Sequence, residues 1–118
     1  MLNLVVIRAR DMDRLARFYE VLGLSFTKHR HGKGPEHLSS EMEGIAFEIY
    51  PAVANESTAA TRLGFSVPSL QDVLLELMAL EVTVLSEPAD TPYGRRAVVR
   101  DFEGHKVELY EKAATTNE

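Results

Sequence analysis

The chain has no cysteine and no tryptophan among its 118 residues. Without cysteine there are no disulfides, zinc-finger thiolates, cysteine nucleophiles or cysteine-held iron–sulfur clusters. Long apolar runs are missing too. Unbroken stretches such as Leu4 to Ile7 stop far short of the roughly 18 residues that a bilayer span needs. Nor is there an excess of positive charge. Thirteen basic against 18 acidic residues leave a net charge of −5, the wrong sign for a general nucleic-acid binder. Charges at Arg8, Arg10 and Asp11 arrive too early for the apolar core of an export signal, so the cytoplasm is the expected compartment.

What is present is an ordinary globular balance, 45% apolar and 26% charged. A chain of this length forms one domain and buries roughly two-thirds of its unfolded surface, so it needs no staple.

The chain also repeats itself. Sliding its second half onto its first places Phe65 on Ile7, Ser69 on Asp11, Val73 on Leu15 and Leu80 on Leu22. The ends correspond as well, Gly104 with Gly44, Glu108 with Glu48 and Tyr110 with Tyr50. The order of elements supports the repeat better than the few identities do. In the first half, residues 2–8 read as a strand. Asp11 then caps a helix carrying Met12, Leu15, Phe18, Tyr19 and Leu22 at helical spacing. Gly23 stops it, and strands follow at 24–31, 36–42 and 45–50. In the second half, residues 61–67 are a strand, and Ser69 caps a helix whose apolar face is Val73, Leu74, Leu77, Met78 and Leu80. A short strand at 82–86, a long loop through Pro88, Pro92 and Gly94, and strands at 95–101 and 105–111 complete it. The fold class is therefore α+β, two βαβββ repeats over about 1–52 and 60–112 of a single domain at 1–112. The small, polar residues 113–118 read as a flexible tail.

Side chains alternate along strands. Val5 and Ile7, Phe47 and Ile49, Leu63, Phe65 and Val67, and Val107 and Leu109 make an apolar face for helices to cover. The opposite face carries Leu4, Val6 and Arg8; Ala46, Glu48 and Tyr50; Arg62, Gly64 and Ser66; Lys106, Glu108 and Tyr110. Either that face is solvated, as antiparallel sheets allow, or it lines a small-molecule cavity with Tyr50 and Tyr110 as walls.

Two motifs carry a family resemblance. Arg8-x-x-Asp11 followed by Phe18-Tyr19-x-Val21-Leu22-Gly23-Leu24 resembles the opening of the vicinal oxygen chelate superfamily, which includes glyoxalase I, bleomycin-resistance proteins and extradiol dioxygenases. Asp101-Phe102-Glu103-Gly104-His105-Lys106-Val107-Glu108-Leu109 resembles its closing turn and last strand. The resemblance spans nearly the whole chain. It implies a U-shaped, partly open barrel of mixed sheet with helices outside, and a homodimer. One departure is Glu81, where the family usually has Gly after the second helix.

The resemblance also implies a divalent metal held from four places. Glu48 and Glu108 match the two Glu positions. Leu4 stands at the first-strand His position and Arg62 at the His or Gln position that opens the second half. Asn3 adjoins Leu4 but faces the other way. Half the ligand set is absent, so no cofactor is expected, with a divalent metal on Glu48 and Glu108, helped by His37, as the alternative. Two carboxylates in one cavity need a cation, and a guanidinium suits them. Arg62 is thus expected to bridge Glu48 and Glu108. Were that trio buried, removing Arg62 would cost on the order of 3–5 kcal/mol. The alternative places Arg62 at a frayed strand end, in solvent.

The run from Lys28 to Lys33, with His29 and His31, reads as a solvated hairpin tip, or else a metal or anion patch. His105, in the final turn, reads as structural. Three functions remain as alternatives. The first is a metal-independent binder of a small molecule at Arg62, Tyr50, Tyr110, Glu48 and Glu108. The second is a lyase, isomerase or dioxygenase with Glu48 or Glu108 as its catalytic base or metal ligand. The third is a structural or regulatory dimer. No nucleic-acid or membrane partner is expected.

Overall fold

Asp11 and Ser69 start the two helices with their own side chains. Asp11 has extended backbone and accepts from the Arg14 amide at 3.1 Å, opening α1 (Met12–Val21). Ser69 accepts from the Asp72 amide at 3.3 Å and opens α2 (Leu70–Ala79). Each cap satisfies an amide that the first helical turn leaves without a partner. A second acceptor reinforces α2: the Glu111 carboxylate takes the Leu70 N–H at 2.7 Å.

The helices belong to two compact units, Met1–Ala59 and Ala60–Glu118, in a computed structural model that describes residues 1–113. The expected flexible tail therefore lies, apart from Ala113, outside the described residues. In the first unit the strands are β1 (Leu4–Ala9), β2 (Thr27–His29), β3 (His37–Met42) and β4 (Ile45–Pro51), in the order β1-β4-β3-β2. In the second they are β5 (Arg62–Ser66), β6 (Thr83–Thr91), β7 (Gly94–Arg100) and β8 (Lys106–Lys112), in the order β5-β8-β7-β6. β1 runs parallel to β4 and β5 parallel to β8, while the other pairings are antiparallel. Each unit is thus a βαβββ repeat on a four-stranded mixed sheet with two open edges, the α+β class expected from the sequence.

The alternation of apolar residues explains which face each helix covers. In the first unit Ile7, Phe47 and Ile49 are buried with Leu15, Phe18 and Tyr19 of α1. Tyr19 packs its ring 4.8 Å from Phe18 and 5.0 Å from Phe47. In the second, Val67, Val107 and Leu109 are buried with Leu70, Val73, Leu74 and Leu77 of α2. Met78, expected on that apolar face, is instead exposed. Among the described residues no helix is long and apolar enough to cross a membrane.

Two expectations change. Residues 24–31 form a strand only over Thr27–His29, because Leu24 folds back and its amide bonds the Tyr19 carbonyl behind α1. The long loop through Pro88 is a strand: β6 runs to Thr91, and Thr91 pairs with Gly94 across a tight turn. Proline is tolerated because β6 is terminal in its sheet and pairs only with β7, so the missing N–H breaks no second ladder. Register shifts between Val84 and Ser86 and between Ser86 and Ala89 absorb the mismatch.

Behind α2, Glu81 sits at φ +67, in the left-handed region, where the first unit has Gly23 at φ +108. A side chain there costs about 1–2 kcal/mol, and glycine returns about 0.5–1 kcal/mol of that as chain entropy. Glu81→Gly is therefore expected to stabilise the protein by roughly 0.5–1 kcal/mol in urea unfolding. A loss of stability would show that the exposed Glu81 side chain makes a contact of its own.

Candidate functional site

Register places the mixed-face residues in cross-strand rows. In the first sheet Arg8 lies beside Tyr50 and Val6 beside Glu48. Glu48 lies beside Ser39, and His37 beside His29. Arg8 sits over the Tyr50 ring, 5.3 Å from its centroid, and its Nη2 is 3.7 Å from Glu56. Tyr50 stacks on His37 with centroids 4.2 Å apart and planes inclined by only 9°.

His37 is 1% exposed. Its Nδ1 is 3.2 Å from the Pro35 carbonyl, which can only accept, so Nδ1 carries a hydrogen. Its Nε2 points at Glu48 Oε2 from 3.6 Å and has no hydrogen-bond partner among the described residues. A second proton on the ring turns this contact into an ion pair. The exposed His29 and His31 rings lie 6.1 and 5.2 Å from His37, so the run from Lys28 to Lys33 is a solvated tip leaning on one buried imidazole.

In the second sheet Arg62 lies beside Lys106, Gly64 beside Glu108 and Ser66 beside Tyr110. Across β7, Arg96 lies beside Tyr110, Val98 beside Glu108 and Arg100 beside Lys106. Nε and Nη2 of Arg96 both engage Glu108 Oε1, and Nε of Arg62 is 3.5 Å from Oε2. The Arg96 hydrogen bond, with the positive charges of Arg96 and Arg62, holds the Glu108 carboxyl below its ordinary pKa against a smaller upward effect of burial. A cavity of about 250 Å³ opens beside this cluster, lined by Gly64, Phe65, Ser66, Arg96, Glu108 and Tyr110.

The structure thus brings together Arg62, Glu108 and Tyr110 in one unit and Glu48, Tyr50 and His37 in the other. Glu108 is paired with arginines of its own unit, and Glu48 lies 3.6 Å from His37 of its own. The expected large cost of removing Arg62 depended on burial, and the Arg62 side chain is 48% exposed. Arg96 was not among the expected site residues, yet it is the main partner of Glu108. The turn at Phe102-Glu103-Gly104 held the missing signal, because a hairpin closed there pairs Arg96 with Tyr110.

Half-exposed ion pairs contribute at most about 1 kcal/mol. Glu108→Gln is therefore expected to cost less than about 1 kcal/mol at neutral pH. Because the folded pKa of Glu108 is lowered, its contribution is present above the ordinary carboxylate range and is lost as pH falls through the folded value. Wild-type and variant stabilities measured by denaturant across acid pH should converge. A gap that widens on acidification would contradict the assignment.

The residues do not fit the metal site that the resemblance implies. Leu4 offers no donor, Arg62 is a cation, and both Glu108 oxygens face guanidinium groups. His37 and Glu48 offer two donors, and among the described residues no group of three or more His, Cys, Asp or Glu is arranged to hold a metal ion.

The sequence matches the family model of the Glyoxalase/Bleomycin resistance protein/Dioxygenase superfamily over residues 1–109. No curated protein matches it. Solved structures do. TnmS3, an antibiotic binding protein from Streptomyces sp. CB03234, is 20% identical with a TM-score of 0.73, covering 96% of each chain. TioX from Micromonospora sp. ML1 is 20% identical with a TM-score of 0.70, covering 96% of this chain and 99% of its own. The oxidase ChaP-H2 is 18% identical with a TM-score of 0.70, covering 100% of this chain and 98% of its own.

Proposed function

Because the chain belongs to the Glyoxalase/Bleomycin resistance protein/Dioxygenase superfamily, we propose that it binds a small organic molecule beside Glu108, without the family's metal. The observation that carries this reading is the double capture of Glu108 by Arg96 and Arg62 at the wall of a cavity. A carboxylate already neutralised by two fixed cations is a poor ligand for a third, and an arginine never gives up its proton to become one. The cavity nevertheless keeps an aromatic wall in Tyr110, a hydroxyl in Ser66 and a floor without a side chain at Gly64, the mix of surfaces that small-molecule sites use. That TnmS3 is an antibiotic binding protein on the same fold supports the reading.

A metal-dependent lyase, isomerase or dioxygenase is the second reading. It is favoured by Glu48, whose carboxylate faces an Nε2 of His37 that has no hydrogen-bond partner among the described residues, and by the existence of an oxidase on this fold. A homodimer in the cytoplasm goes with either reading, and a non-catalytic structural dimer is what remains if no ligand binds.

The test is thermal unfolding with Ni²⁺, Zn²⁺, Mn²⁺ or Fe²⁺, each against chelator, beside a small-molecule library without metal. A metal at 100 times its Kd would add about 2.7 kcal/mol, roughly ten degrees in Tm for a chain of this size. The expected result is no metal-dependent rise, and library members that raise Tm for the wild type but not for Gly64→Val. A metal-dependent rise that disappears in Glu108→Gln or Glu48→Gln would overturn the metal-free reading.

A further inference from the structure

We infer that the molecule bound beside Glu108 carries an oxyanion, a carboxylate or a phosphate monoester, held by the donors that Arg96 and Arg62 do not spend on Glu108. The inference rests on the small-molecule reading above and adds the charge of the ligand.

The charge of the binding face runs against that of the whole protein. The protein as a whole is acidic, with a net charge of −5. The face of the second sheet that bears Glu108 is basic. Register places Arg62, Lys106, Arg100, Arg96 and Lys112 on it. The β6 residues that pair onto the same face are Thr83, Ser86, Ala89 and Thr91, all uncharged. Glu108 is thus the one carboxylate in the paired rows of this face, among five cations; Glu87 falls in the register shift between Ser86 and Ala89, where no pair assigns its face. Acidic residues are plentiful in this sequence, so the excess is a property of the face, not of the composition.

Geometry gives the excess a target. A guanidinium carries five N–H donors in a fixed fork. Arg96 directs Nε and Nη2 at Glu108 and Arg62 directs Nε, so both keep N–H groups for another acceptor. Arg96 lines the cavity and Arg62 adjoins it through Glu108, and with side chains 42% and 48% exposed neither guanidinium is sealed off by protein. The planar fork matches carboxylate and phosphate oxygens in pairs. Beside it, the cavity of about 250 Å³ has room for a single ring against Tyr110. Gly64 keeps that room open: a Cβ there would meet only the Glu108 Cβ, at 3.9 Å, so a larger side chain fits the backbone and fills the cavity.

In this arrangement Glu108 is also a built-in competitor. It occupies donors that an external oxyanion would use, and it cancels part of the positive charge that would attract one. Removing the Glu108 charge should therefore tighten anion binding, the reverse of what a metal-ligand role requires.

The experiment titrates the full-length, ¹⁵N-labelled protein with phenylacetate, phenyl phosphate, phenylacetamide and 2-phenylethylamine, following amide shifts. The first two separate carboxylate from phosphate as the source of the oxyanion, and the last two hold the ring constant while removing or reversing the charge. Expected is binding of at least one anion that shifts Gly64, Ser66 and Tyr110, about tenfold or more tighter than amide or amine, since hydrogen bonds to a charged group are the stronger ones. Arg96→Gln should weaken that anion about tenfold, Gly64→Val should abolish its binding while leaving the protein folded, and Glu108→Gln should tighten it severalfold. Amide or amine binding as tightly as the anions would overturn the oxyanion inference while small-molecule binding stands. Failure of all four probes to bind would overturn the oxyanion inference at this cavity, and the library screen would then decide the broader reading.

Discussion

Asp101→Ala should lower stability by about 3–5 kcal/mol, a fall in Tm of roughly 10–25 °C. The Asp101 and His105 side chains are both fully buried. Asp101 Oδ1 accepts from the amides of Glu103 at 2.9 Å and His105 at 3.0 Å, and Oδ2 is 2.8 Å from His105 Nδ1. A carboxylate only accepts, so Nδ1 donates. Taking the carboxylate away removes the acceptor that two backbone N–H groups and a buried imidazole share, and losing an acceptor from buried donors costs far more than a made hydrogen bond gains. The same turn sets the β7–β8 register that places Arg96 beside Tyr110 and Val98 beside Glu108. Ligand binding beside Glu108 should fall with stability. Asp101→Asn, which keeps one acceptor, should recover part of both. Urea unfolding of the two variants is the check, and a loss below about 1 kcal/mol for Asp101→Ala would mean that the turn is held by other groups.

Gly94→Ala is expected to be nearly as damaging, at about 3 kcal/mol. Gly94 sits at φ +148, where side chains strain the backbone. A Cβ at this position would be driven into the Glu111 carbonyl oxygen, and would lie 2.9 Å from the Ala113 amide and 3.1 Å from Tyr110 Cζ. Two of those atoms are backbone and cannot swing away. The relief available is to move β8, and with it Tyr110 and the Glu111 carboxylate that holds the start of α2. Thermal unfolding should show the loss, and near-UV circular dichroism should show a changed Tyr110 environment. An unchanged Tm would mean that the β6–β7 turn yields more easily than the geometry implies.

Legibility in the sequence followed the range of the interaction. Both helix starts were readable because Asp11 and Ser69 act on amides only three residues away. The apolar strand faces were readable because alternation is a local rule that Ile7, Phe47, Ile49, Val107 and Leu109 all obey. Only the first part of β6 was, since Pro88 argues against a strand unless that strand is known to be terminal in its sheet, and sheet order is not a local property. The site shows the same divide. Glu48 and Glu108 stood out through the internal repeat. Their neighbours come from adjacent strands: His37 was readable only as a possible helper at a metal, and Arg96 is revealed only by the cross-strand register. Arg62 was readable as a partner of Glu108, but its exposure, which sets what the pair is worth, was not.

The interrupted strand β6 has a meaning for how copies of this protein behave in a crowd. A terminal strand offers its unused amides and carbonyls as a template on which another chain can polymerise. At nine residues, β6 would be a long template if it were regular. Pro88 withholds a donor near its centre, two register shifts bend it, and Glu87 and Asp90 put like charges on any copy that lines up alongside. The features that disguise this strand in the sequence therefore act as a guard against fibrillar assembly.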